Sequence, residues 1–282
     1  MTGKADENQP YEMQTAPANF TPAVCPICGQ TTERILDWPL LDGTHRTVRK
    51  VVRVMCRCGT EDLAARKKKE EQEEKLRRIN SLRRMSLITE DTTVSGARFR
   101  NFRTDKGNEN VAKIMQKYVT DFDTMFERNQ GLLFYGDVGT GKSYAAAAVA
   151  NELLYREVPV IMTSFVKILN EVMKFDKDSG TYINRLNAAD LLVIDDLGVE
   201  RGTDFSLEKI YDIVDSRYRA GKPLIITTNL DMAQMKNCTD IRYNRIYDRI
   251  FEMCYPVRFN GTAWRKKKCV SKFDEMRKLL EE

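Results

Sequence analysis

The stretch that most limits what this chain can fold into is "GLLFYGDVGTGKSYAAAAVA", residues 131–150. A short apolar run ends in Gly136-Asp137-Val138-Gly139-Thr140-Gly141-Lys142-Ser143-Tyr144, and an alanine-rich segment follows at once. The turn satisfies the pattern G-x-x-x-x-G-K-[ST], and it stands between a predicted strand and a predicted helix, as that pattern requires. Glycines let successive backbone N–H groups point into one concavity, and the helix behind them adds the positive end of its dipole. Such a loop is built for a polyphosphate, with Lys142 reaching the β and γ phosphates and Ser143 holding Mg²⁺.

The surrounding pattern agrees. Val111, Ile114, Met115, Tyr118, Val119 and Phe122 fall on one helical stripe. Predicted strands at 132–135, 158–162, 191–195 and 224–228 alternate with predicted helices at about 143–156, 165–175 and 205–218. Short Val/Ile/Leu runs alternating with helices predict an α/β fold, a parallel sheet with helices on both faces. In such sheets ligands bind at the carboxyl ends of the strands. "LLVIDDLG" ends there in two carboxylates, so Asp195 is expected to complete the Mg²⁺ shell and Asp196 to polarise an attacking water. "LIITTN" brings Asn229 beside the γ-phosphate if its strand neighbours the loop strand, where an amide can orient water.

The first 94 residues are organised differently. Residues 1–22 are polar and read as a flexible tail; 23–62 form a small module, 63–94 a charged helical linker, and 95–282 the α/β domain. The module carries Cys25-x-x-Cys28 and Cys56-x-Cys58, four thiolates suited to a closed tetrahedral Zn²⁺ site. Each pair is followed by glycine, as a knuckle turn needs, and "RTVRKVVRVMCRC" alternates like a strand leading into the second pair. His45 is an alternative ligand, although "DGTHRT" reads more simply as a hairpin turn. A 40-residue module has little core of its own, so a metal would supply folding free energy. From Arg66 to Arg84 nine basic and four acidic residues, with acids four places before bases, predict a solvated helix. Cys238, Cys254 and Cys269 are scattered, which suits a reducing compartment rather than a disulfide framework. No apolar window approaches the ~18 residues of a membrane span, and "MTGKADENQPYEMQ" has no signal-peptide pattern, so a soluble cytoplasmic protein without a membrane partner is expected.

Together, "RFRNF", "GLLFYGDVGTGKSYAAAAVANEL", "LLVIDDLG", "PLIITTN" and "RIYDRIFEMCYPVRFNGTAWR" resemble the helicase-loader branch of the AAA+ ATPases, the DnaC/DnaI-like and IstB-like group, over roughly residues 95–268. The resemblance implies ATP and Mg²⁺ as ligands, and it carries over Lys142, Ser143, Asp195, Asp196 and Asn229 in the roles just described. It adds Arg249 as a finger entering a neighbour's site, which implies self-association through the ATP site, and Arg265 as a nucleotide contact from its own chain. It further implies a replicative helicase as partner, gripped by the zinc module. Arg242, Arg245 and Arg249 also fit one solvated helix face. The second acid here is Asp where most of the superfamily has Glu, and a shorter reach implies slow hydrolysis. Only 53 residues follow Asn229, too few for the full helical lid of many relatives.

The net charge of +5 decides little, but Arg242–Lys278 holds eleven basic and four acidic residues interleaved with Tyr243, Tyr247, Phe251, Tyr255, Phe259 and Trp264. That mixture suits single-stranded DNA, or the aromatics are core. Three other functions share parts of this pattern. A transposition-accessory ATPase has the same fold and chemistry, a DNA-binding zinc regulator would use ATP only as a ligand, and a small-molecule kinase would need an acceptor pocket.

Overall fold

The structure, a computed structural model, describes residues 15–40, 46–88, 92–105, 108–174, 179–198 and 204–281. Contacts divide the chain into two compact units, 1–75 and 76–282.

In the first unit β1 (Glu33–Pro39) pairs antiparallel with β2 (Thr47–Arg53), Ile35 opposite Val51. The connection holding His45 lies outside the described residues. Thr15 bridges to Lys50, so the described end of the expected tail is tied to β2. Cys25 and Cys28 form the predicted knuckle: Gly29 adopts φ +69 and its N–H donates to Cys25 O at 2.9 Å. The second pair departs from expectation. Cys58 and Gly59 lie inside helix α1 (Arg57–Met85), so that pair sits on a helix start rather than on a second knuckle. The helix therefore begins before the expected linker. Its exposed surface carries i,i+4 pairs such as Asp62 with Arg66 and Lys69 with Glu73, each worth little in water. Among the described residues up to 75, the buried apolar positions are Cys25, Val51 and Cys56. Apolar burial alone is too small to hold such a unit.

The second unit is built on five parallel strands: β3 (Gly131–Gly136), β4 (Val160–Ser164), β5 (Leu191–Leu197), β6 (Leu224–Thr228) and β7 (Cys254–Phe259). Their order across the sheet is β4-β5-β6-β3-β7. Side chains alternate between two cores with the period of two that strands impose. Leu132, Phe134, Val193 and Ile225 meet α2 (Glu109–Thr120), α3 (Phe122–Glu127) and α4 (Lys142–Tyr155); Leu133, Leu192, Ile194 and Ile226 meet the other layer. That layer comprises α5 (Phe165–Lys174), α6 (Ser179–Ala188), α7 (Asp204–Arg219) and α9 (Ile241–Met253), with the short α8 (Met232–Lys236) between the last two. Of the predicted stripe, Val111, Met115, Tyr118 and Val119 on α2 are buried, Ile114 is half-buried, and Phe122 is buried at the start of α3. Helix α4 is apolar all round because Ala145–Ala150 and Leu153–Leu154 are all enclosed, and alanine lets its backbone approach the sheet closely. The basic helix α10 (Trp264–Glu281) follows β7. No helix among the described residues is long and apolar enough to cross a membrane.

One buried cation closes the amino end of the sheet. Arg217 on α7 is fully buried, and its guanidinium donates to Pro223 O at 2.9 Å, Ala189 O at 2.8 Å and Asp190 O at 2.8 Å. Those carbonyls precede β6 and β5; Pro223 O also accepts from Leu192 N at 3.4 Å and Ala189 O from Lys222 Nζ at 3.4 Å, so the planar fork supplies the shorter bonds to all three. Burial pulls its pKa down to about 10, against the opposing pull of Asp190. Replacing Arg217 with Met should fill the volume but remove the guanidinium's bonds to three buried carbonyls, lowering unfolding free energy by about 3 kcal/mol; urea unfolding of wild type and Arg217→Met checks this.

Candidate nucleotide site and cysteine cluster

The loop between β3 and α4 is shaped by close approach to β7. Gly136 has φ +125, and a Cβ there would lie 2.4 Å from Phe259 O, so only glycine permits the strand contact and the turn together. Gly141, at φ +97, caps α4 with no side chain in the cap, leaving the first N–H groups of the helix without a side-chain acceptor. Thr140 closes the loop on itself by donating to Asp137 O at 2.8 Å. Val138 stands exposed at its tip.

Lys142 folds back over this loop. Its Nζ donates to Gly136 O at 2.8 Å and Asp137 O at 2.7 Å, and the residue is only 5% exposed. Burial lowers its pKa; Asp196, Asp137 and Asp195 oppose that shift, and Arg265 adds to it. Folding thus gathers Lys142, Asp195, Asp196 and Arg265 into one electrostatic neighbourhood. A phosphate oxygen would offer the buried ammonium a stronger acceptor than two carbonyls. Arg265, exposed, lies beside the loop, its Cβ 3.5 Å from where a Cβ on Gly139 would stand.

Asp195 and Asp196 end β5 in a bulge. Ile194 pairs with Ile226 and Leu197 with Thr228, so two residues on β5 oppose Thr227 alone. Asp196 adopts φ +58, a left-handed conformation costing about 1 kcal/mol for a residue with a side chain. Strand β6 runs between β3 and β5, with Thr228 opposite Tyr135. Asn229, one residue on and exposed, is therefore beside the start of the loop. Asp231, not Asn229, caps α8, its Oδ1 accepting from Met232 N at 2.7 Å.

Arg249 is not with these residues. It sits in the seam of α7 and α9, its Nε 3.3 Å from Asp215 Oδ1, its NH1 3.4 Å from Glu252 Oε2, and its Cζ 4.2 Å above the Tyr218 ring. Arg242 turns instead to Asp240 and Asp204, and Arg245 is exposed.

Beside the loop is a cavity of about 590 Å³, lined among others by Phe102, Arg103, Gly139, Gly141, Tyr144 and Trp264. Phe102 stacks on Tyr144 at 6.4 Å between ring centroids, and Arg103 lies 5.3 Å over the Trp264 ring. The size suits a nucleoside. Phe102, Arg103 and Trp264 were not expected as a set; their signal was only an aromatic-and-arginine composition at two distant points of the chain. Of the aromatics read as possible stacking surfaces, Tyr247 and Phe259 are core residues, whereas Tyr255 is 56% exposed.

The cysteines form the second candidate centre. The sulfurs of Cys25, Cys28, Cys56 and Cys58 all lie within 4.8 Å of one another, a set able to chelate a metal. The N–H groups of Cys28 and Ile27 hold the Cys25 thiol down to about 6, toward the thiolate a metal needs. Hydrogen bonding to Cys56, then to Cys25 and Cys28, pushes Cys58 up to about 12.

With the geometry in place, similarity is informative. The family model described as IstB-like ATP binding protein matches residues 59–271. The chain belongs to this family. Within the IstB-like family it is related to the DnaC/DnaI loader group and has that group's P-loop AAA+ fold. It is 33% identical over 171 residues to the protein named replicative helicase loader DnaC of Escherichia coli K12, covering 59% of this chain and 64% of that protein. It is 25% identical over 163 residues to the replicative helicase loader DnaI of Bacillus subtilis, covering 52% of each. The chain thus aligns with less than two thirds of either loader. Among solved structures, the DnaC helicase loader shares the fold at a TM-score of 0.52 and 22% identity, over 60% of this chain and 100% of that one. AMPPCP-bound DnaA from Aquifex aeolicus shares it at 0.51 and 20%, over 66% and 57%.

Proposed function

We propose that the chain is an ATP-dependent loader of a replicative helicase. The observation that carries the ATP chemistry is the position of β6 between β3 and β5, because it sets the loop, the two aspartates and Asn229 along one edge of the sheet. In this reading Gly136–Tyr144 wraps the phosphates, Lys142 neutralises them, and the cavity at Phe102 and Trp264 takes the base. Ser143 and Asp195 would hold Mg²⁺, which when bound offsets phosphate charge. Asp196 accepts the proton of the attacking water, Asn229 orients that water, and Arg265 contacts the phosphates from the same chain. Arg249 serves a neighbour's site, which requires self-association. The short acid at 196 makes hydrolysis slow, as befits a switch.

The helicase as partner rests on the loaders to which the chain is similar, and single-stranded DNA on the basic, aromatic composition of Arg242–Lys278. The four cysteines hold Zn²⁺ in a module of residues 23–62 that contacts the helicase, with 63–94 as linker and 95–282 as the ATPase domain. The near absence of apolar burial around those sulfurs supports this, since a bound metal replaces a core. A second reading, an ATPase that assists transposition, shares the same fold and ATP chemistry and rests on the chain's membership of the IstB-like family. Co-purification with a replicative helicase, as against a transposase, separates the two.

Lys142→Ala should weaken ATP binding by about 2 to 4 kcal/mol in a folded protein. Asp196→Asn should keep affinity and lower turnover about a hundredfold. Fluorescent-ATP titration and phosphate release check both, and loss of binding in Asp196→Asn would exchange its role with that of Asp195.

Elemental analysis of reduced protein should find one Zn²⁺ per chain. Cys25→Ser should lose it together with helicase binding, while ATP binding persists.

Arg249→Ala should bind ATP but turn over as much as ~10³-fold more slowly. Mixing it with Lys142→Ala should restore part of the activity, through hybrid sites that pair a sound loop with a sound arginine. A mixture that forms hybrids yet stays inactive confines Arg249 to its own chain, where Asp215, Tyr218 and Glu252 hold it.

A further inference from the structure

At the bulge on β5, one side chain from β6 does work that a regular ladder would leave to backbone. Thr227 is fully buried. Its hydroxyl accepts the Asp196 N–H at 3.0 Å and donates its own proton to Asp195 Oδ1. A threonine hydroxyl has one proton and two lone pairs, so these two bonds use it in both senses at once. The bulge is what makes the arrangement possible. With Asp195 and Asp196 both opposite Thr227, the parallel ladder is interrupted there, and the Asp196 N–H takes the Thr227 side chain as its acceptor.

The neighbouring threonine differs. Thr228 donates to Leu197 O at 2.8 Å and accepts from Leu230 N at 3.1 Å, so it pins the strand end and touches neither aspartate. A buried hydroxyl in a strand of Leu224, Ile225 and Ile226 is costly unless bonded, and valine would fit the same space without that cost. Thr227 bonds both carboxylate-bearing residues.

We propose that Thr227 is a positioning residue that sets the division of labour between the two acids. Through Oδ1 it fixes the rotation of the Asp195 carboxylate, and through the Asp196 N–H it holds the left-handed turn that aims the second carboxylate away from the first. The proposal rests on the reading of Asp195 as a metal-holding acid and Asp196 as the base. It adds that their difference is imposed from β6, by a residue that touches neither nucleotide nor metal. Because Asn229 directly follows β6, the two carboxylates and the amide are then positioned by one strand pair.

The test uses the full chain with Thr227→Val, which removes the hydroxyl at nearly constant volume, and Thr227→Ser, which keeps it. Circular dichroism and thermal unfolding establish folding; should the valine variant fail to fold, Thr227→Ala takes its place with the same readouts. Fluorescent-ATP affinity is measured in EDTA and across a Mg²⁺ series, and kcat and KM come from phosphate release. The expected result for Thr227→Val is affinity in EDTA within about twofold of wild type, a several-fold higher Mg²⁺ requirement, and kcat lowered about tenfold or more with little change in KM. Thr227→Ser should return the Mg²⁺ requirement and kcat to within about twofold of wild type. A valine variant with wild-type kcat and Mg²⁺ requirement would overturn the proposal, as would one whose affinity falls equally with and without Mg²⁺, since that marks general damage. Wild-type protein that lacks Mg²⁺-dependent ATP affinity would instead overturn the ATP reading itself, and the role of Thr227 with it.

Discussion

The polar edge of the larger unit depends on one strand pairing: β6 lies between β3 and β5 and bonds to both in parallel. Parallel strands start at one edge and end at the other, so pairing three of them brings three loop starts together at the carboxyl edge. The phosphate-type loop, the two aspartates and Asn229 are far apart in sequence and become neighbours through that pairing alone. The sheet can afford this polar edge because its interior is apolar on both faces, with Leu132 and Phe134 against one helix layer and Leu133 against the other.

The two ends of the sheet are stabilised by opposite means. At the amino end Arg217 places a buried positive charge among carbonyls that precede the ladders. At the carboxyl end Lys142 is buried among loop carbonyls with three aspartates nearby. The first cation is fully committed to backbone partners and holds the structure. The second is held only by loop carbonyls, which a phosphate can outcompete, and that difference separates a structural cation from a ligand-binding one. The small unit uses neither device. Its described residues bury little beyond Val51, Cys25 and Cys56, so the sulfur cluster is its centre.

Much of this was legible beforehand. The strand–glycine loop–helix unit, the alternation of strands and helices, the α2 stripe and the proximity of four cysteines all follow from local pattern. The less legible parts have identifiable physical causes. The second cysteine pair carries a glycine like the first, but α1 begins at Arg57 and absorbs it, because a charged, helix-favouring run follows immediately. Tyr247 and Phe259 belong to cores although basic residues surround them, since a helix or strand buries only one side of a mixed segment. The cavity walls at Phe102, Arg103 and Trp264 join positions some 160 residues apart, which no local period reports.

By itself the sequence determined four of the five sheet strands and the main helices between them, that a polyphosphate-type loop lies between β3 and α4, and that two close cysteine pairs stand ready for a metal, whereas β7 and α10 were not read from it. These are consequences of spacing, side-chain size and backbone freedom within a few residues. Tertiary structure alone decided the strand order, the bulge that sets Asp195 and Asp196 against Thr227, and the burial of Lys142 and Arg217. It also decided that Arg249 lies against Asp215 and Tyr218 rather than near the loop. Each of those is set by which element packs beside which, and packing depends on contacts between residues that are distant along the chain.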